Sequence, residues 1–149
     1  MSKAFVKESD DAEDLPDRPV SPHRNLVTAA GLALIDETLA RLYREQTATD
    51  DPAAKARIAR DLRYWTARRR TAELVPPVED KSEVRFGSTV TILRPDGRRQ
   101  TWRIVGEDEA DPAAGTLSHA SPVARGLQGG RIGDVVTAGP AEVEIVAIG

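Results

Sequence analysis

Between Leu32 and Leu42 the apolar residues Leu32, Ile35, Leu39 and Leu42 recur at intervals of three, four and three. That spacing places them on one stripe of an α-helix, with Asp36, Glu37, Arg41 and Glu45 on its other faces. Thr28 is suited to cap this helix, and Val27 to fold back on Leu32 as a hydrophobic staple. The pattern fades after Gln46. A second helix is predicted from Pro52, with Asp51 as N-cap and proline at the first helical position. Ile58, Leu62, Trp65, Arg69 and Ala72 repeat at four-three-four-three spacing, and Pro76-Pro77 ends the element. Two such stripes joined by a short loop predict an antiparallel coiled-coil hairpin. Neither helix is stable alone in water, so the stripes should zip together. With about 18 residues per arm at ~1.5 Å each, the hairpin is ~27 Å long.

Beyond Pro77 the period changes from helical to alternating. Strands are predicted over Glu83–Phe86, Thr89–Arg94, Gln100–Val105, Thr116–Ala120, Val135–Thr137 and Glu142–Ile148. Pro95-Asp96-Gly97 reads as a turn, and Gly106–Gly115 (GEDEADPAAG) as an acidic loop. Ser121-Pro122 opens a short helix through Leu127, stopped by Gly129-Gly130. The fold class is therefore α+β: a helical hairpin, then a small antiparallel sheet domain with one short helix. The boundaries fall at a leader over 1–25, the hairpin over 26–75 and the sheet domain over 76–149.

The chain has 149 residues, enough for one ordinary domain or two small ones. It lacks cysteine, which excludes disulfides and thiolate metal sites and fits a cytoplasmic address. The first residues carry no apolar h-region, so no signal peptide is expected, and no apolar run approaches the roughly 20 residues of a membrane span. The net charge of −3 is unevenly distributed. Residues 1–25 carry six acids, four bases and three prolines, which predicts a disordered acidic leader. Residues 55–70 hold Lys55, Arg57, Arg60, Arg63, Arg68, Arg69 and Arg70 against the single acid Asp61. Such a run is either a solvated helix face or a surface for a polyanion.

The carboxyl-terminal half resembles the C-terminal domain of the bacterial GreA/GreB transcription elongation factors. The resemblance rests on Phe86-Gly87-x-x-Val90, Arg103-Ile104-Val105-Gly106, Asp108-Glu109-Ala110-Asp111, Ser121-Pro122-Val123-Ala124-Arg125-Gly126-Leu127 and Gly133-Asp134-Val135. LVTAAGLALIDETLARL resembles the opening helix of that family, and ELVPP its exit into the second domain. The resemblance implies a coiled-coil hairpin followed by an FKBP-like domain. It also implies binding to RNA polymerase, with the globular domain at the rim of the secondary channel and the hairpin inside it. Asp108, Glu109, Asp111, Ser121, Pro122 and Arg125 would then contact polymerase. Arg57, Arg60, Arg63 and Arg68 would meet RNA or the channel wall, and nascent RNA or DNA would be touched only within that complex. A monomer, acting without a membrane, is expected.

Cleavage-stimulating members of the family carry acids at the hairpin tip in the form G-D-x-x-E-N-A-[DE]-Y, which help hold a second Mg²⁺. No such motif occurs here, and the hairpin is about 20 residues shorter, which leaves the tip ~15 Å short. Asp50 and Asp51 are the candidate Mg²⁺ ligands, with the metal shared with polymerase rather than intrinsic. The alternative role, Asp51 as a helix cap and Asp50 as a turn residue, is the better supported, because Asp-Pro is itself a helix start. GEDEADP lacks the alternating ligand spacing of an EF-hand. Prolyl isomerase activity is not expected, since the second domain offers only Phe86 and Trp102 as aromatics. Trp65 and Trp102 are expected in the core, and His23 and His119 receive no role. Three other readings stay open: a protein like the regulator of nucleoside-diphosphate kinase, an inhibitor that occupies the polymerase channel, and an interaction module without polymerase binding.

Overall fold

The computed structural model describes residues 15–149. Of the expected leader, residues 1–14 lie outside the described residues. The chain divides into two compact units. One holds Ala33–Thr71 with the described residues up to Pro22, and the other holds His23–Leu32 with Ala72–Gly149.

The helical unit is built from α1 (Ala29–Ala48) and α2 (Pro52–Thr71). Thr28 caps α1, its Oγ1 accepting from Gly31 N at 3.0 Å. Asp51 caps α2, its Oδ2 accepting from Ala54 N at 3.1 Å, with Pro52 at the first helical position. The connection is three residues long, and Thr49 Oγ1 accepts from Asp51 N at 3.2 Å within it. Arg69 reaches Asp36 at 2.7 Å, which fixes the two helices as antiparallel. Each arm has 20 residues, or about 30 Å at the α-helical rise. Ile35 and Leu42 of the predicted stripe are buried, joined by Thr38, whose hydroxyl donates to Leu34 O at 2.7 Å.

On α2 the predicted stripe is only partly right. Leu62 is buried, but Arg69 is exposed in its ion pair with Asp36, and Arg68 is the buried arginine. A third layer lies on this helix. Residues 15–22 have no regular secondary structure, yet this stretch of the expected leader is held on α2. Arg18 pairs with Asp61 at 3.2 Å and lies 4.0 Å over the Tyr64 ring. Asp61, Tyr64 and Arg68 share one stripe of the helix, three and four residues apart. The helix also stops earlier than Pro76 because Glu73–Leu74 pair as a strand.

The second unit begins with that pairing. β1 (Leu26–Val27) and β2 (Glu73–Leu74) form a two-residue parallel ladder, extended by Glu73 N to Asn25 O at 2.8 Å and Val75 N to Val27 O at 2.9 Å. Arg24 donates to both Glu73 oxygens, at 2.7 and 3.3 Å. The main sheet holds β3 (Thr89–Leu93), β4 (Arg99–Val105), β5 (Thr116–Ser118), β6 (Val135–Ala138) and β7 (Ala141–Ile148) in the order β5-β4-β3-β7-β6. It is mixed rather than wholly antiparallel, because β5 runs parallel to β4. The loop between them carries a 3-10 turn over Pro112–Ala114. The predicted strand Glu83–Phe86 does not form. Val84 makes one exchange with Gly129 and Gly130, and the chain then turns at Gly87, whose φ is 89°.

The core lies between the sheet and α3 (Pro122–Leu127). It contains Val84, Phe86, Val90, Ile92, Ile104, Ala124, Leu127, Ala138, Val143 and Ile145. A β-bulge shifts the β3–β7 register, so that Val90 faces Ile148 and Ile92 faces Ile145. Without the extra residue, strict alternation from Val143 and Ile145 would turn Ala147 inward. With it, Ile148 packs on the core and Ala147 is exposed. Trp102 is half-buried against this core, and His119 is buried edge-on to Phe86 at 5.5 Å. No described helix is long and apolar enough to cross a membrane.

Gly126 tests how closely α3 sits on the sheet. A Cβ there would lie 2.1 Å from Thr137 O and 2.9 Å from Ala138 Cα. Helix propensity alone favours Gly126→Ala by about 1 kcal/mol. Backbone crowding reverses the sign, and the variant should be destabilised by about 1–3 kcal/mol in urea unfolding. A second check is titration. The hydrogen bond from Arg24 holds the exposed Glu73 carboxyl below its ordinary value. Its contribution to folding is therefore present above the unfolded pKa and lost as pH falls through the folded one. Carboxyl NMR should find the Glu73 midpoint depressed, and Arg24→Ala should return it to the ordinary range.

Candidate functional site

The basic run of α2 separates into residues with different fates. Arg57 is exposed and makes no ion pair among the described residues, and Lys55 is exposed two residues nearer the tip. Arg60 is half-buried, with Nε 3.8 Å from Asp61 Oδ1. Arg63 is occupied: Nε donates to Asp17 Oδ1 at 2.5 Å and Nη2 to Leu15 O at 3.2 Å. Arg68 is 1 % exposed. A guanidinium so enclosed is not presented to RNA or to a channel wall, so the contact expected of Arg68 is corrected to a structural position inside the helical unit. Arg57, Arg60, Arg41 and Ile58, together with the acids Glu45 and Asp61, line an open groove of about 470 Å³ near the tip. Arg57 and Arg60 are thus brought together, while Arg63 is paired, though exposed, and Arg68 is enclosed.

At the tip, Asp51 spends one carboxylate oxygen on its helix cap, and Asp50 is exposed beside it. Adjacent side chains at a helix start diverge, so the pair does not converge on one ion. Among the described residues no group of three or more His, Cys, Asp or Glu side chains is placed to hold a metal.

The acidic loop after β4 departs from expectation most clearly at Glu109. Its carboxylate points inward, toward the start of α1. Oε2 accepts from Thr28 N and from Gly106 N, both at 3.1 Å, and Oε1 accepts from Thr28 Oγ1 at 2.5 Å. In a capping box, a glutamate at the third helical position bonds back to the N-cap amide. Here that position is Gly31, and a glutamate from a distant loop performs the task. A Cβ on Gly31 would lie 2.2 Å from Glu109 Oε2 and would displace the carboxylate. Gly106 is the more tightly constrained, since its Cβ would meet backbone, Leu26 O, at 2.6 Å. Glu109 is half-buried, and both its oxygens are engaged within the fold. A glycine three residues into a helix, where it costs about 1 kcal/mol against alanine, was the signal in the sequence.

The other expected contacts are placed as follows. Asp111 caps the 3-10 turn, its Oδ1 accepting from Ala113 N at 3.2 Å, and Asp108 is half-buried in the same loop. Ser121 caps α3, its Oγ accepting from Ala124 N at 3.2 Å. Pro122 and Arg125 are exposed on that helix.

Glu109→Ala should leave three donors at the α1 start without their acceptor. Urea unfolding should show a loss of about 2–3 kcal/mol, as for hydrogen bonds to a charged group. A glutamate serving only as a surface contact would leave stability within about 0.5 kcal/mol of the parent.

Comparison with known proteins identifies relatives of this chain. Residues 79–149 match the family profile described as transcription elongation factor, GreA/GreB, C-term. Transcription elongation factor GreB of Neisseria meningitidis serogroup B is 43 % identical over 97 residues, covering 61 % of this chain and 60 % of the relative. This match thus spans less than two thirds of that relative's length. Transcription elongation factor GreA of Maricaulis maris is 35 % identical over 132 residues, covering 73 % of this chain and 84 % of the relative. Among solved structures, GreA factor homolog 1 of Thermus thermophilus matches at 27 % identity with a TM-score of 0.42, covering 85 % of this chain and 99 % of that one. With a relative aligned over most of its length and the profile matching the whole sheet region, this chain belongs to the GreA/GreB family of transcription elongation factors.

Proposed function

We propose that this chain modulates transcription elongation by binding RNA polymerase at its secondary channel, without stimulating transcript cleavage. Family membership supports the partner. The sheet unit supplies affinity through Pro122 and Arg125 of α3 and through the loop carrying Asp108. The helical hairpin occupies the channel, with Arg57 and Arg60 turned toward RNA or the channel wall. Occupancy of this kind would act on nucleotide entry, pausing or access by cleavage factors.

The observation that carries the negative half of this reading is the tip. Its three residues hold two acids, one of which caps α2. Metal-assisted hydrolysis needs a carboxylate within ~2.1 Å of Mg²⁺, held in near-octahedral geometry. A capping carboxylate beside a diverging neighbour does not supply that arrangement, so the chain brings no Mg²⁺ of its own.

Two measurements test the proposal. Tagged full-length chain should retain core polymerase at low salt, and absence of retention would remove the polymerase reading. Added to a stalled, backtracked complex, the chain should release little 3′ RNA. Asp50→Ala/Asp51→Ala should lower that release no further. Strong cleavage abolished by the double substitution would show that the tip acids work as ligands.

A further inference from the structure

We propose that Leu15–Pro22 is an intramolecular competitor for the anion-binding face of α2, displaced when a phosphate-bearing chain docks there. This rests on the reading that the α2 face meets nucleic acid. Arg63 is held as a phosphate would hold it. Its Nε donates to the Asp17 carboxylate at 2.5 Å and its Nη2 to the Leu15 carbonyl at 3.2 Å. The strap is pinned a second time at Arg18, which pairs with Asp61 at 3.2 Å and covers the Tyr64 ring at 4.0 Å.

The composition of the strap suits a removable mask. Pro16, Pro19 and Pro22 recur every third residue, the period of the polyproline II helix. Their fixed φ restricts the segment to extended forms and lowers the entropy lost on docking. Arg18 and Asp61 keep 38 % and 32 % of their side-chain surface exposed, and Asp17 keeps 71 %. Ion pairs this accessible are individually weak and are screened by salt, so a polyanion can exchange for them. The mask is also incomplete. Arg57 lies on the stripe that carries Asp61 and Tyr64, one turn nearer the tip, and stays uncovered. A phosphate chain can therefore engage Arg57 first and take Arg63 as the strap leaves.

Arg18→Ala separates this device from simple electrostatics. The substitution removes a positive charge, which by itself weakens binding to a polyanion. Loss of the strap's anchor instead strengthens it. Binding of a fluorescein-labelled 20-nucleotide oligouridylate to the full chain, read by anisotropy at 50 mM salt, should tighten about threefold in Arg18→Ala. Asp17→Asn should act in the same direction, and the double variant should tighten about tenfold. Hydrogen exchange of residues 15–22 should quicken when RNA is added to the parent. Equal or weaker binding in both single variants, with unchanged circular dichroism, would overturn the proposal. Arg57→Ala isolates the underlying reading. If Arg57→Ala weakens RNA binding but Arg18→Ala does not tighten it, only the strap fails. If no form binds RNA, or Arg57→Ala has no effect, the α2 face is not the anion site and both readings fall.

Discussion

The Glu109 carboxylate set against the first turn of α1 is the interaction on which the sheet unit's other local features depend. A helix start presents amides without intrahelical acceptors and the positive end of the helix dipole. Glu109 answers two demands together, taking the Thr28 amide and hydroxyl on one side and the Gly106 amide on the other. Close approach follows, and it dictates the glycines: Gly31 in the helix and Gly106 at the end of β4 both lie where a Cβ would collide. It also sets Leu26 O beside Gly106 and brings the chain into position for the β1–β2 ladder. Two sequence-distant passages, the entry to α1 and the exit from α2, are thereby tied into the unit that carries the sheet.

This arrangement shows where the sequence was informative and where it was not. The two helices were legible because their apolar spacing and their caps, Thr28 and Asp51 with Pro52, are local signals that agree with each other. β3, β4 and β7 were legible from alternation, and α3 from Ser121-Pro122. The β1–β2 ladder was not, since two residues are too few for any period to register and their partner is far along the chain. The parallel setting of β5 was hidden for the same reason: strand direction depends on how the Gly106–Gly115 loop returns, which composition does not encode. Glu83–Phe86 has the look of a strand but finds only one backbone exchange before Gly87 turns it.

At the candidate site the difficulty was different. A basic run reads as a uniform surface in the sequence, whereas the fold sorts it residue by residue. Arg69 meets Asp36, Arg63 meets Asp17, Arg68 is enclosed and Arg57 is left open. Arg63 is engaged by a segment whose proline and charge content suggested only disorder. Low hydrophobicity argues against a segment folding by itself, but not against its docking on a surface already formed. Likewise the acidic loop carried a family motif, and its acids have unlike uses: Glu109 faces the fold, Asp111 closes a 3-10 turn, and Asp108 stays half-buried.

The two kinds of acid in this chain lead to one functional consequence. Glu109 acts because the fold supplies donors on three sides at fixed distances, so a single carboxylate suffices. A metal at the tip would demand the reverse, several oxygens converging on one ion from elements rigid enough to hold them. The three-residue connection between α1 and α2 offers no such scaffold, since its length is just enough to reverse the chain and to cap the next helix. Shortening the loop to this minimum stabilises the turn and removes the space in which further ligands could be placed. On the function proposed above, the hairpin would act through its flanks, where Arg57 and Arg60 stand, and not through its end.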